Sequence, residues 1–154
     1  MPFHLLAQDL ECYLLGRLPE DSVSRTESHL AGCKVCDQRL VREIGLLPLS
    51  EVLQSGTLLG DEKRHERRFN TEEPISLQAL SPFSIERYPG KLADVSRNGM
   101  KIRTLVRAES GTLLKISLKN VIAFGEVRYC RKLEDGFDCG VQLSQVVQVR
   151  SDHR

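Results

Sequence analysis

Lys91-Leu92-Ala93-Asp94-Val95-Ser96-Arg97-Asn98-Gly99-Met100-Lys101-Ile102 carries the clearest architectural signal in the chain. Asn98-Gly99 is a strong hairpin signal, because both residues accept the backbone conformations that tight turns require. A strand through Lys91-Leu92-Ala93 and another through Met100-Lys101-Ile102 are expected on either side of it.

On both sides of that hairpin, the apolar residues keep a period of two. Ile75/Leu77/Ala79 precede it, and Met100/Ile102, Leu114/Ile116/Leu118 and Phe137/Cys139/Val141/Leu143 follow. Turn signals separate the runs at Tyr88-Pro89-Gly90, Asn98-Gly99, Glu109-Ser110-Gly111 and Asp135-Gly136. Six or seven short strands punctuated in this way predict a small antiparallel β-barrel over residues 74–150. Before it, residues 56–73 hold Gly56, Gly60 and then an almost wholly charged or polar run, which reads as a linker.

Residues 1–55 follow a helical period instead. Leu10, Tyr13, Leu14 and Leu18 recur at three- and four-residue spacing, with a stop at Gly16 and Pro19. A second helix starts at Pro19-Glu20-Asp21-Ser22, its acids suited to the N-terminal end of the macrodipole, and runs to about Ala31. A third runs from about Cys33 through Leu40, Val41 and Ile44 to Pro48. The fold class is therefore α+β, a small helical module followed by a barrel.

Composition narrows the function. With 154 residues, 40% hydrophobic and 28% charged, the chain reads as globular. A net charge of +1, 5% aromatics and no Trp argue against direct nucleic-acid binding. No apolar run is long enough to span a bilayer. The segment after Met1 lacks a basic leader region, so a cytoplasmic chain with reduced thiols is expected. Three of the five cysteines lie in the first 36 residues, a pattern of ligands early and ordinary buried thiols later, at Cys130 and Cys139.

His29-Leu30-Ala31-Gly32-Cys33-Lys34-Val35-Cys36 sets three zinc-type ligands within eight residues. His29 belongs to the last turn of one helix, while Cys33 and Cys36 open the next, where the helix N-terminus favours thiolates. A structural zinc site takes four ligands, and His4 and Cys12 are the candidates for the fourth. Two thiolates with two neutral imidazoles carry no net charge with the metal, which makes burial cheap. Three helices of this length can hardly bury a sufficient core, and a metal supplies folding free energy where the core is thin. The alternative is that His29 is a surface residue and the cysteines are small buried apolar groups.

Tyr13-Leu14-Leu15-Gly16-Arg17-Leu18-Pro19 followed by Glu27-Ser28-His29-Leu30-Ala31-Gly32-Cys33-Lys34-Val35-Cys36 resembles the zinc-finger module of zinc-binding anti-sigma factors, over about residues 4–45. The resemblance implies a structural Zn2+ on His29, Cys33 and Cys36. A family histidine some 25 residues upstream corresponds to His4. It also implies a protein partner such as a sigma factor or another transcription component. Pro48 and the polar linker cut short the longer helix with which such modules clasp their partner.

Asp94-Val95-Ser96-Arg97-Asn98-Gly99, with Gly125-Glu126-Val127-Arg128-Tyr129 and Gly140-Val141-Gln142-Leu143 downstream, resembles the PilZ domain over about residues 62–146. That resemblance implies a non-enzymatic receptor for cyclic di-GMP. Asp94 would accept the N1–H and N2–H of a guanine edge. Ser96 would reach a phosphate or base edge, and Gly99 would let the backbone turn and approach. The phosphates and guanine faces call for arginines in an R-x-x-x-R pattern just before the first strand. Arg64 and Arg68 have that spacing; aligned instead on Arg67-Arg68-Phe69, the second position becomes Thr71. Ordering of this linker over the nucleotide would reorient the two modules. Two alternatives stand beside this reading. Asp94 and Ser96 can serve only turn chemistry, the protein then being an adaptor without a nucleotide ligand, or the linker can be a plain solvated charge run. A zinc hydrolase is disfavoured, since no H-E-x-x-H arrangement and no spare coordination position are evident.

Overall fold

The computed structural model describes residues 4–47, 73–96, 98–118 and 121–148. Three helices come first: α1 (Ala7–Leu15), α2 (Glu20–Gly32) and α3 (Lys34–Gly45). Gly16 ends α1 in the left-handed conformation, φ 72°, and the N–H of Arg17 returns to Cys12 O at 2.8 Å. Glycine is favoured there because it has no Cβ to clash. Pro19 is extended immediately before α2, whose first turn carries Glu20 and Asp21.

Six strands follow: β1 (Pro74–Ser81), β2 (Phe83–Val95), β3 (Gly99–Thr104), β4 (Leu113–Ser117), β5 (Val121–Leu133) and β6 (Gly136–Gln148). They close into an antiparallel barrel in the order β1-β2-β3-β6-β5-β4. Ile75, Leu77, Leu92, Ile102, Leu114, Ile116, Val127 and Val141 fill the interior, the residues that the period of two places on one face.

One expected turn is absent. Tyr88-Pro89-Gly90 lies inside β2, and the chain reverses earlier, through the cis Ser81–Pro82 bond, with Leu80 opposite Phe83. Pro89 pairs with Ser76 of β1, while β3 comes alongside only from Gly90 onward. A missing N–H is tolerated at such an edge. Gly90 serves a close approach, since a Cβ there would lie 2.8 Å from Arg103 O and 3.1 Å from Leu77 Cδ1.

The helices rest on the outside of the barrel. Leu10, Leu14, Leu30, Leu40 and Ile44 form one buried cluster with Leu80, Ile122, Phe124 and Val147 of the strands. The run Val121-Ile122-Ala123-Phe124 is buried throughout because Val121 and Ala123 face the barrel interior while Ile122 and Phe124 face the helices. The barrel wall thus adds apolar area that three helices of this length lack on their own. This packing also bears on the expected reorientation of modules: in the structure helices and barrel already share a packed interface.

A polar seam runs through that interface. Tyr13 Oη donates to Glu27 Oε2 at 2.7 Å and accepts from Gln78 Nε2 at 2.8 Å, and Arg87 pairs with Glu27 at 2.7 Å. Burial pushes the Tyr13 hydroxyl well above its usual range. Lys115 reaches Tyr13 O at 3.5 Å, and burial lowers its ammonium to about 8. Gln145 Nε2 donates to Ile44 O at 2.9 Å, satisfying a carbonyl at the end of α3.

Candidate functional site

The helical region gathers four ligand-type side chains at one point. Cys33 alone separates α2 from α3: its N–H donates to His29 O at 2.8 Å, and its carbonyl accepts from Asp37 N at 3.0 Å. This one-residue joint places the last turn of α2, with His29, beside the first turn of α3, with Cys36. His4 arrives from the segment before α1, held by a Leu5 N–H···Sγ bond to Cys36 of 3.4 Å. The ligand atoms of His4, His29, Cys33 and Cys36 all lie within 4.8 Å of one another. His4 Nδ1 is 3.4 Å from Cys36 Sγ and 3.6 Å from Cys33 Sγ. Tetrahedral zinc with ordinary Zn–S and Zn–N bonds needs S···N edges of about 3.6 Å. The four residues thus form a group that could hold a metal ion, and two sulfurs with two imidazole nitrogens fit zinc in number, kind and spacing. Cys36 is buried, His29 and Cys33 are half-buried, and His4 is exposed. Of the two candidates for the fourth position, the structure brings His4 to the group; Cys12 is not in it.

The barrel carries the second constellation, and two β-bulges build it. On β2, Leu92 pairs with Ile102 and Asp94 with Lys101, so Ala93 is an extra residue. Simple alternation would point Asp94 inward with Leu92; the bulge turns it out, and Asp94 is exposed while Leu92 and Val95 pack inward. On β5, Val127 pairs with Val141 and Tyr129 with Gly140, so Arg128 is extra. Val127 stays in the core, and Tyr129 swings to the surface, 38% exposed. The two displaced side chains meet at an open groove of about 340 Å³ lined by Asp94, Ser96, Gly99, Lys101, Arg128 and Tyr129.

The turn is held internally as well. Ser96 N–H donates to Gly99 O at 2.9 Å, Ser96 Oγ donates to the same oxygen at 3.4 Å, and Asp94 Oδ1 accepts from Val95 N at 3.0 Å. Gly99 is a β3 residue opposite Gln142. A Cβ there would lie 3.2 Å from Val141 O, so glycine serves the close packing of β3 on β6. Gly140 has a comparable role, because the Tyr129 ring occupies the space where its Cβ would be.

Asp94, Ser96 and Gly99 therefore come together at one groove. Arg64, Arg67 and Arg68, together with Thr71, lie outside the described residues. Lys101, Arg128 and Tyr129 line the same groove, and the sequence motifs assign none of them a ligand role. A signal existed in the aromatic and the strand glycine facing each other across a hairpin. A second groove of about 430 Å³, lined by Lys91, Arg103, Leu105 and Phe137 among others, lies beyond Gly90 and holds none of the Asp94–Gly99 residues. Among the described residues no helix is long and apolar enough to cross a membrane.

The chain thus presents a closed six-stranded antiparallel barrel whose D-x-S-x-x-G hairpin opens onto a surface groove. The PilZ domain family profile matches residues 62–153, and the chain belongs to that family. No curated protein matches it. PilZ domains are in general cyclic di-GMP-binding regulatory domains, which fits a signalling role of that general kind here.

Proposed function

We propose that the barrel is a receptor for cyclic di-GMP, with Asp94, Ser96 and Gly99 on the groove side and Arg64, Arg67 and Arg68 closing from the linker. The observation that carries this reading is the outward turn of Asp94. A bulge that spends a ladder position to expose a carboxylate beside a serine makes sense where the carboxylate meets a ligand. Its two oxygens match the N1–H and N2–H of guanine, an edge that adenine lacks. Tyr129 offers a ring face to a base, and Lys101 and Arg128 offer charge to the phosphates. The end of the linker is tied to β2 two residues before Asp94, as Leu92 N–H donates to Glu73 O at 2.9 Å. Arg68 is five residues from Glu73, a reach of at most about 17 Å.

The helical region is read as a structural zinc module that contacts a protein partner. When bound, the ion would tie the start of the chain, α2 and α3 together. His4, His29, Cys33 and Cys36 would hold it, and the Leu5 N–H would steady the Cys36 sulfur. Val35 between the cysteines is 51% exposed and Leu6 is 66% exposed, giving the cluster an apolar outer surface. A sigma factor or other transcription component remains the partner class that the helical motif suggests.

A second reading, an adaptor without nucleotide, draws support from the hydrogen bonds that Asp94 and Ser96 make within their own hairpin. Calorimetric titration of the full chain separates the two. Saturable binding of cyclic di-GMP, and weaker binding of cyclic di-AMP, is expected. No heat at about 100 µM ligand, where a working receptor site is largely occupied, would favour the adaptor.

A further inference from the structure

We propose that Cys130 and Cys139 form an oxidation site, a cross-strand thiol pair that a hydroperoxide converts to a disulfide behind the wall of the groove. The two residues face each other across the β5–β6 hairpin. Leu133 and Gly136 close its two-residue turn, and such a closing pair exchanges both backbone hydrogen bonds. Alternation then makes 130/139 a pair without mutual backbone bonds, the kind with Cα atoms about 4.5 Å apart. That separation lies inside the range that disulfides span. The side chains already point at each other: Cys139 Sγ–H donates to Cys130 Sγ with the sulfurs 3.1 Å apart. Bond formation needs a further approach of about 1 Å, within reach of small side-chain rotations.

The pair is also asymmetric. Cys139 is fully buried, and burial, with the bond to Cys130, pushes its thiol up to about 12. Cys130 is half-buried and is the sulfur that an oxidant meets first. In the reaction the peroxide O–O bond breaks on Cys130 Sγ and the departing oxygen takes the thiol proton, giving the sulfenic acid and one water from hydrogen peroxide, or an alcohol from an organic hydroperoxide. Cys139 Sγ then attacks Cys130 Sγ, the S–O bond breaks, and the leaving hydroxide takes the Cys139 proton and departs as water. Two thiols supply the two electrons that the peroxide consumes. The neighbouring register pair is Tyr129 with Gly140, which lines the groove, so the new bond fixes the strand pair at the point where that ring lies on the glycine.

The test is hydrogen peroxide treatment of the full-length native protein, alkylation of remaining thiols, and tryptic mapping. The expected product joins residues 129–131 to residues 133–150 in most molecules and separates again on reduction with a dithiol. Cys130→Ser should abolish it and leave Cys139 open to alkylation after unfolding. Full alkylation of both residues after peroxide, Cys130 carried on to the sulfinic or sulfonic acid without a link, or bonding of either to Cys12, Cys33 or Cys36 instead would each overturn the proposal.

Discussion

The two constellations of this protein are assembled in different ways. The four metal-type ligands converge within 4.8 Å in the chain as it stands, because a one-residue joint between two helices and a single N–H···S bond leave them little freedom. The groove on the barrel is open, and its polar side chains do not depend on one another. Among the described residues, Asp94 bonds its neighbour's amide, Ser96 bonds within its own turn, and Arg128 pairs loosely with Glu126 at 3.7 Å. A compact donor set suits an ion that is bound permanently and stabilises one arrangement. An open one suits a ligand that comes and goes, since its affinity then depends on how much ordering binding has to impose. The comparison teaches that both regions can be legible as motifs while only one is preorganised.

The largest effect should come from the compact site. Cys36→Ala removes its most buried sulfur and is expected to abolish metal retention in protein purified without a histidine tag, as metal analysis under reducing conditions would show. His4→Ala should weaken retention, and Cys12→Ala should leave it unchanged; an effect of Cys12 equal to that of His4 would break the assignment. The helices should stay partly anchored on the barrel even without metal, since their core is shared with Ile122 and Phe124. Circular dichroism of the apo protein would check this.

At the open site, Asp94→Ala should cost roughly 1–3 kcal/mol of cyclic di-GMP affinity, and less for cyclic di-AMP, in calorimetric titrations. Arg64→Ala, Arg67→Ala and Arg68→Ala locate the linker register. If Arg64 and Arg68 are the pair, Arg67→Ala is nearly silent; if Arg67 matters most, the register with Thr71 in the second position holds and affinity is weak overall.

A third prediction concerns the interface that joins the two regions. Lys115 is lowered to about 8 in the folded chain by burial, below its ordinary value of 10.5. A lowered base penalises the folded state while it is charged. The penalty is complete below about pH 8 and is relieved as pH rises from there toward 10.5, because the unfolded chain then holds the extra proton. Lys115→Met should therefore stabilise the protein at pH 7 by on the order of 1–2 kcal/mol. Its advantage over wild type in denaturant titrations should shrink above pH 8.

The smallest effect is expected at Gly140. An alanine there meets the Tyr129 ring, so the ring must shift, with a stability cost of about 1 kcal/mol if it swings freely outward. Ligand affinity should fall by more than stability if Tyr129 forms a wall of the nucleotide site. Equal losses would make the glycine purely a packing residue.

Much of this was readable from local pattern alone. The helix stops at Gly16 and near Gly32, the period of two through the barrel and the Asn98-Gly99 hairpin all reflect interactions within a few residues, so their signals are written consecutively. The same holds for His29, Cys33 and Cys36, whose geometry is set by one helix break. The features that local pattern does not carry depend on how each strand is paired and on what packs against it. Two bulges, each defined by the register of a neighbouring strand, turn Asp94 and Tyr129 outward where alternation alone would bury them. Pro89-Gly90 became strand interior because the glycine is needed against Arg103 and Leu77. The docking of helices on Ile122 and Phe124 follows from how the barrel closes. Closure is a cooperative outcome of six strands, and no single segment carries a local signal for it.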